Sequence, residues 1–170
     1  GLKGWPRVAE DHIVARDLML AKLTGARYHL AHASTAGSVA LVRAAKSEGL
    51  DVTAEVTPHH LTLTAEAVLG YDTACKVNPP LREQADVDAL IEGLADGTLD
   101  CVATDHAPHA PVEKDTTFQE AAFGMVGLET ALALLLALVH AGRLRPMRLV
   151  EALTRAPMRA FDLDAHGVYE

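Results

Sequence analysis

Cysteine is scarce in this sequence: only Cys75 and Cys101 occur in 170 residues, far apart along the chain. They fit neither a disulfide framework nor a zinc knuckle and read as reduced thiols of a cytoplasmic protein. Positive charge is also short, 15 Lys and Arg against 23 Asp and Glu, for a formal net charge of -8. Phosphate binding needs a basic face, so no nucleic-acid partner is expected. Long apolar runs are missing too. The longest, Ala131 to Val139, is too short to span a bilayer, so no membrane is expected. Neither a signal peptide nor a methionine opens the chain. It starts GLKGWPRVAED and ends HGVYE without an evident helix stop, which sets the expectation of a piece of a longer protein.

What is present is ordinary for a globular protein, with 49% hydrophobic and 22% charged residues. The length suits one domain over residues 1–170, with no internal boundary expected. Apolar residues at helical spacing predict a helix over Val8–Leu23, with Pro6 near its start and Gly25 after its end. A short strand follows at Tyr28–His32, then a helix over Gly37–Ser47 behind the capping pair Ser34-Thr35. Val52–Val56 is a second strand, and Thr57-Pro58 is expected to start another helical stretch. The segment KVNPPLR (76–82) is a rigid loop, because its prolines fix φ and donate no hydrogen bond. A helix over Glu83–Ala95, a third strand over Leu99–Thr104, and helices over Gly127–Ala141 and Met147–Ala156 complete the pattern. Repeated β–α alternation predicts a parallel sheet with right-handed crossovers. Three strands make a poor complete domain but a natural share of an eight-stranded barrel.

The stretch CVATDHAPH (101–109) raises the functional question. An apolar strand empties into Asp105, His106 and His109, and some twenty irregular residues then run to Gly124. A loop that long inside a compact domain is usually functional. The first strand ends at His32, the second leads into His59-His60, and the third ends at Asp105. In parallel barrels such ends converge on one face, and histidine with carboxylate is the ligand set of a hydrolytic zinc centre. Each feature taken singly is weak. A strand-end histidine is more often packed or hydrogen-bonded than metal-bound, and an Asp after a strand is most often a turn or cap residue. Period-2 alternation sends His29 and His32 to opposite faces, so both can hardly serve one site, and counting does not choose between them.

The segments AEDHIVARDLMLAKLTGARYHLAHASTAGSV, VTAEVTPHHL, KVNPPLR, ATDHAPH and FGMVGLET, in this order and spacing, resemble the carboxyl-terminal part of a bacterial class I dihydroorotase of the cyclic amidohydrolase superfamily. The similarity covers nearly the whole chain. It implies the last three βα units of a metal-dependent (β/α)8 TIM barrel. It also implies reversible opening of dihydroorotate to N-carbamoyl-L-aspartate in pyrimidine biosynthesis, with one or two zinc ions per full-length subunit.

Carried over by position, the resemblance makes His32 a zinc ligand and Asp105 both a zinc ligand and the catalytic acid/base. Asn78 and His109 match substrate-binding positions. Phe123 and Gly124 match the pair that touches the pyrimidine ring. His59-His60 is no ligand pair in the family and reads as loop and hydrogen-bonding structure, His106 reads as structural, and His12, His140 and His166 as surface or packing residues. The family's His-x-His, bridging carboxylate, further histidine and substrate-carboxylate residues have no counterpart here and are expected upstream of Gly1. The 170 residues alone are therefore expected to be inert and prone to aggregation through open strand edges. Alternatives within the superfamily are a dihydropyrimidinase or an allantoinase. An inactive dihydroorotase-like scaffold of an aspartate carbamoyltransferase is the alternative from another class. A homodimer is the other partnership the resemblance implies.

Overall fold

The computed structural model of the chain describes residues 1–163. His166 lies outside them. The elements run α1 (Arg7–Thr24), β1 (Tyr28–Leu30), α2 (Ala36–Ser47), β2 (Val52–Val56), α3 (Gln84–Asp96), β3 (Cys101–Val102), α4 (Pro111–Lys114), α5 (Ala131–His140), α6 (Pro146–Leu153) and α7 (Arg155–Ala160). The three strands form one parallel sheet in the order β1-β2-β3, with Tyr28 opposite Val52 and Glu55 opposite Cys101. Local chemistry sets the helix ends. Gly25 and Gly97 close α1 and α3 with φ of 70° and 87°, a left-handed conformation that glycine adopts without a Cβ penalty. The Thr35 hydroxyl accepts from Ser38 N and caps α2.

Five expected elements differ. The stretch after Thr57-Pro58 is a turn followed by two short 3-10 segments, Ala65–Val68 and Thr73–Cys75. Thr57 Oγ1 accepts from His60 N there, the bond of a helix cap, but the turn ends at Thr62 without becoming a helix. Both outer strands are shorter than expected: His32 and Asp105 take φ of 55° and 48° and end the extended backbone, and Leu99 N, at the expected start of the third strand, donates to Gly93 O of α3 instead. Helix α5 starts at Ala131 rather than Gly127, since the amides of Gly127 and Leu128 are turned toward His106 Nδ1. The last expected helix divides at Thr154. Pro157 has no N–H to bond the Leu153 carbonyl, so a continuous helix cannot pass.

Leu30, Val52, Ala54, Val56 and Val102 on one face of the sheet belong to a single core cluster. Val14 and Leu18 of α1, Val39 and Val42 of α2, Leu90 and Leu94 of α3, Leu135 of α5 and Leu149 of α6 join them. Burying each such side chain contributes roughly 1.5–3 kcal/mol, so this layer is the main source of stability. The register places His29, Thr53, Glu55 and Cys101 on the other face. Cys101 there packs with Ala156 and Ala160 of α7, and His29 meets the Phe161 ring at 4.8 Å. Among the described residues no helix is long and apolar enough to cross a membrane.

Candidate active site

The site forms past the carboxyl ends of the strands. His32 lies two residues beyond β1 and Asp105 three beyond β3. Left-handed backbone is uncommon outside glycine and costs on the order of 1–3 kcal/mol, so it persists where the surroundings over-determine it. Around His32 they do. Ala33 N continues the ladder to Glu55 O at 3.0 Å. The next residues are gripped by Glu10 of α1, whose carboxylate accepts from Ser34 N at 2.9 Å, from Ser38 Oγ at 2.7 Å and from the Ser34 hydroxyl. Arg82, at the end of KVNPPLR, donates to Ser34 Oγ at 3.0 Å and to Trp5 O at 2.7 Å. The loop after β1 and the loop before α3 are thereby tied together.

This backbone brings His32 Nε2 to 3.6 Å from Asp105 Oδ1. That is too long for a hydrogen bond. It is close to the separation of about 3.4 Å that two ligands bound at 2.0–2.1 Å hold around a tetrahedral zinc ion. On the other side of the ring, His32 Nδ1 lies 2.8 Å from Glu55 Oε1, and Glu55 Oε2 lies 3.3 Å from His29 Nε2. The Glu55 carboxylate thus faces both rings.

Burial pushes the Glu55 carboxyl upward in pKa, but the two imidazoles outweigh it and hold the group at about 2. Reciprocally, the Glu55 carboxylate raises the pKa of His32 against the opposing effect of burial. Glu55 is 6% exposed and was not among the expected site residues. Its sequence signal is an acidic residue inside an otherwise apolar strand, VTAEV.

The expectation that His29 and His32 face opposite ways is overturned. Both reach Glu55, because the period-2 rule holds only to Leu30 and the left-handed turn at His32 returns its ring to the His29 side.

A second group gathers along the loop after β3. His109 Nε2 donates to Phe123 O at 2.8 Å. Gly124 has φ of 135°, and a Cβ there would lie 2.7 Å from Ala107 Cβ and 3.1 Å from His109 Nε2, so only glycine fits. His106 accepts from Gly127 N and Leu128 N, each at 3.1 Å. His109, Phe123 and Gly124 thus stand together. Asn78 is exposed in its loop, and among the described residues no hydrogen bond joins it to His32 or Asp105. Its loop does meet the other, since Gly124 N donates to Lys76 O at 2.9 Å.

His60 is buried and satisfied on both sides, by Thr57 Oγ1 at 2.7 Å and Pro79 O at 2.9 Å. Burial holds its pKa at about 4 and that of neighbouring His59 at about 3. Both are neutral at pH 7.

Among the described residues no three of His, Cys, Asp and Glu are arranged to hold a metal ion. His32 and Asp105 are two donors of the type and spacing a zinc site uses, and a third would come from another segment.

Comparison with known proteins decides the relationship. The chain is 60% identical over 164 residues to the dihydroorotase of Pelotomaculum thermopropionicum, a match covering 96% of this chain and 38% of that protein. It is 56% identical over 168 residues to the dihydroorotase of Leifsonia xyli subsp. xyli, covering 98% of this chain and 38% of that one. Along nearly its whole length the chain is homologous to proteins named dihydroorotase. No protein-family model matches it. It spans less than two fifths of the length of these dihydroorotases.

Among solved structures, L-hydantoinase (dihydropyrimidinase) from Arthrobacter aurescens aligns with a TM-score of 0.87 at 33% identity, over 93% of this chain and 36% of that one. The α/β fold with its parallel sheet matches the carboxyl-terminal portion of such TIM-barrel proteins. The three strands of this chain are therefore barrel strands. The face bearing His29, Thr53 and Glu55 is the one opposite the helical layer.

Proposed function

We propose that the chain supplies the carboxyl-terminal share of a zinc-dependent dihydroorotase active site, which reversibly opens dihydroorotate to N-carbamoyl-L-aspartate in pyrimidine biosynthesis. The observation that carries this reading is the convergence of His32 Nε2 and Asp105 Oδ1 at 3.6 Å from the ends of two different strands. His32 and Asp105 would hold the ion, with further ligands from outside this chain. A bound zinc ion supplies Lewis-acid polarisation of the ring carbonyl and a hydrolytic nucleophile near neutral pH.

The chain's own residues do the rest. Asp105 accepts the proton released as the nucleophile attacks and returns it to the departing ring nitrogen. Glu55 holds the far side of the His32 ring and fixes its orientation, as carboxylates behind metal-binding histidines do. His109, through Phe123 O, and Gly124, through its lack of a side chain, shape the wall against which the ring lies. Asn78 contributes a polar group from the facing loop. A misplacement of about 1 Å costs on the order of a hundredfold in rate, so these orienting contacts matter as much as the proton transfer.

The hydantoinase structures favour a second reading, opening of a hydantoin or dihydropyrimidine ring by the same chemistry. The higher identity to dihydroorotases ranks it second. A cytoplasmic location, a second copy of the chain and an aspartate carbamoyltransferase as partners belong to the same proposal. The test is made in a full-length protein bearing this chain, by metal analysis of three variants. His32→Ala should lose most of its zinc, whereas His29→Ala and His60→Ala should retain it. Zinc lost on His60→Ala and kept on His32→Ala would overturn the ligand placement.

A further inference from the structure

We propose that Lys76 and Lys114 are positioning residues whose ammonium groups clamp the backbone of residues 119–124 and so set Phe123 and Gly124 for substrate. The substrate part rests on the function proposed above; the clamp stands on geometry alone.

Lys114 Nζ donates to three carbonyls, Thr73 O at 3.0 Å, Ala122 O at 2.8 Å and Gly124 O at 2.6 Å. Lys76 Nζ donates to Gln119 O at 2.9 Å and Ala121 O at 2.6 Å, and lies 4.3 Å from the centroid of the Phe123 ring. Four carbonyls of one short irregular segment thus turn inward onto two cations. Among the described residues neither lysine pairs with a carboxylate, although Lys76 is 7% exposed. Buried lysine without a counter-ion is rare. Here carbonyl dipoles replace both water and the missing anion.

The two lysines also hold the loop through their own neighbourhoods. Gly124 N donates to Lys76 O at 2.9 Å and Ala122 N to Glu113 O at 3.2 Å. Thr73 Oγ1 donates to Lys114 O at 2.6 Å. An irregular loop with inward carbonyls would otherwise leave them unsatisfied, and charge-assisted bonds are about twice as strong as neutral ones. An ammonium suits this task because its three donors radiate from a point toward carbonyls of separate segments, which the planar fork of arginine cannot match. Trp5 completes the packing, with its ring centroid 6.0 Å from that of Phe123.

A loop that slides loses substrate contacts common to ground and transition states. That raises KM while leaving kcat nearly unchanged. The experiment uses a full-length protein bearing this chain, with Lys114→Met and the milder Thr73→Val, which removes only the hydroxyl bond to the Lys114 carbonyl. In Lys114→Met, KM for dihydroorotate should rise on the order of tenfold with kcat changing less than about threefold. Amide exchange across residues 119–124 should accelerate by on the order of tenfold or more. Thr73→Val should move both readings the same way by less, and it carries the test should Lys114→Met fail to fold. Lys22→Met, at an exposed ion pair with Glu48, supplies the baseline. A lower melting temperature with unchanged KM and unchanged exchange over 119–124 would reduce the lysines to ordinary scaffolding and overturn the proposal. If the parent protein does not turn over dihydroorotate, the functional reading fails. Exchange alone then decides the clamp: faster exchange sustains it and unchanged exchange removes it.

Discussion

On one face of the sheet Leu30, Ala54, Val56 and Val102 are sealed beneath helices, while His29, Glu55 and Cys101, each one residue earlier on its strand or one later, look the other way. The first face is apolar and continuous. The second carries an ionised carboxylate held between two imidazoles. The comparison shows how one strand serves two purposes: alternation of side chains puts stability and chemistry a single residue apart. A change on either face should therefore register in a different measurement.

The largest expected effect lies at the site. Asp105→Asn in a full-length enzyme keeps the shape but removes the proton acceptor, so kcat should fall roughly a hundred- to ten-thousandfold while the melting temperature holds. Near-parental turnover would end the assignment of Asp105 and blur the contrast between the faces. On the helical side, Leu94→Ala empties a fully buried position of α3. It should cost about 2–5 kcal/mol of stability, read by denaturant unfolding, with kcat per folded molecule unchanged. A Leu94→Ala enzyme of normal stability and reduced kcat would reverse the comparison.

A pH dependence is expected just beyond β2. His59 and His60 are buried neutral, with folded pKa values of about 3 and about 4 against an ordinary value of 6.5. Below pH 6.5 the unfolded chain takes up protons that the folded chain refuses. The stability held above 6.5 should therefore drain away as pH falls toward 4, by at most roughly 1.4 kcal/mol per pH unit for each histidine. The melting temperature should drop across that window, and replacing both histidines with Gln should flatten the slope. An unchanged slope would mean that other groups govern acid stability.

Helix α1, helix α3, the central strand and the rigid KVNPPLR loop were legible in sequence because each rests on local rules: apolar spacing, glycine after the last turn, proline in the loop. The roles proposed for His32 and Asp105 rest on the family resemblance, since nothing local separates a strand-end histidine from a packing one. What sequence reading missed depends on contacts distant along the chain. Glu55 sits in an ordinary strand pattern, and its meaning appears only when β1 lies beside β2 and brings His29 and His32 to it. The facing of His29 and His32 was misjudged because a single left-handed residue ended the alternation. Lys76 and Lys114 resemble any surface lysines until the loop from Gln119 to Gly124 folds over them. Their acceptors are backbone carbonyls, which leave no trace in residue type.

The left-handed backbone at His32 and Asp105 has an evolutionary consequence. Glycine at either position would relax the chain by about 1 kcal/mol or less, since Asp and His tolerate this conformation better than most residues. The two positions then differ. Glycine in place of His32 would strip the buried Glu55 carboxylate of one imidazole, whereas Asp105 has its ionic neighbour, His32 Nε2, only at 3.6 Å. A lineage selected for thermal robustness alone would drift toward glycine at Asp105 first. Retaining a carboxylate at Asp105 requires selection that acts on what that group does. Screening a library of this chain for heat resistance without an activity screen should therefore erode Asp105 before His32.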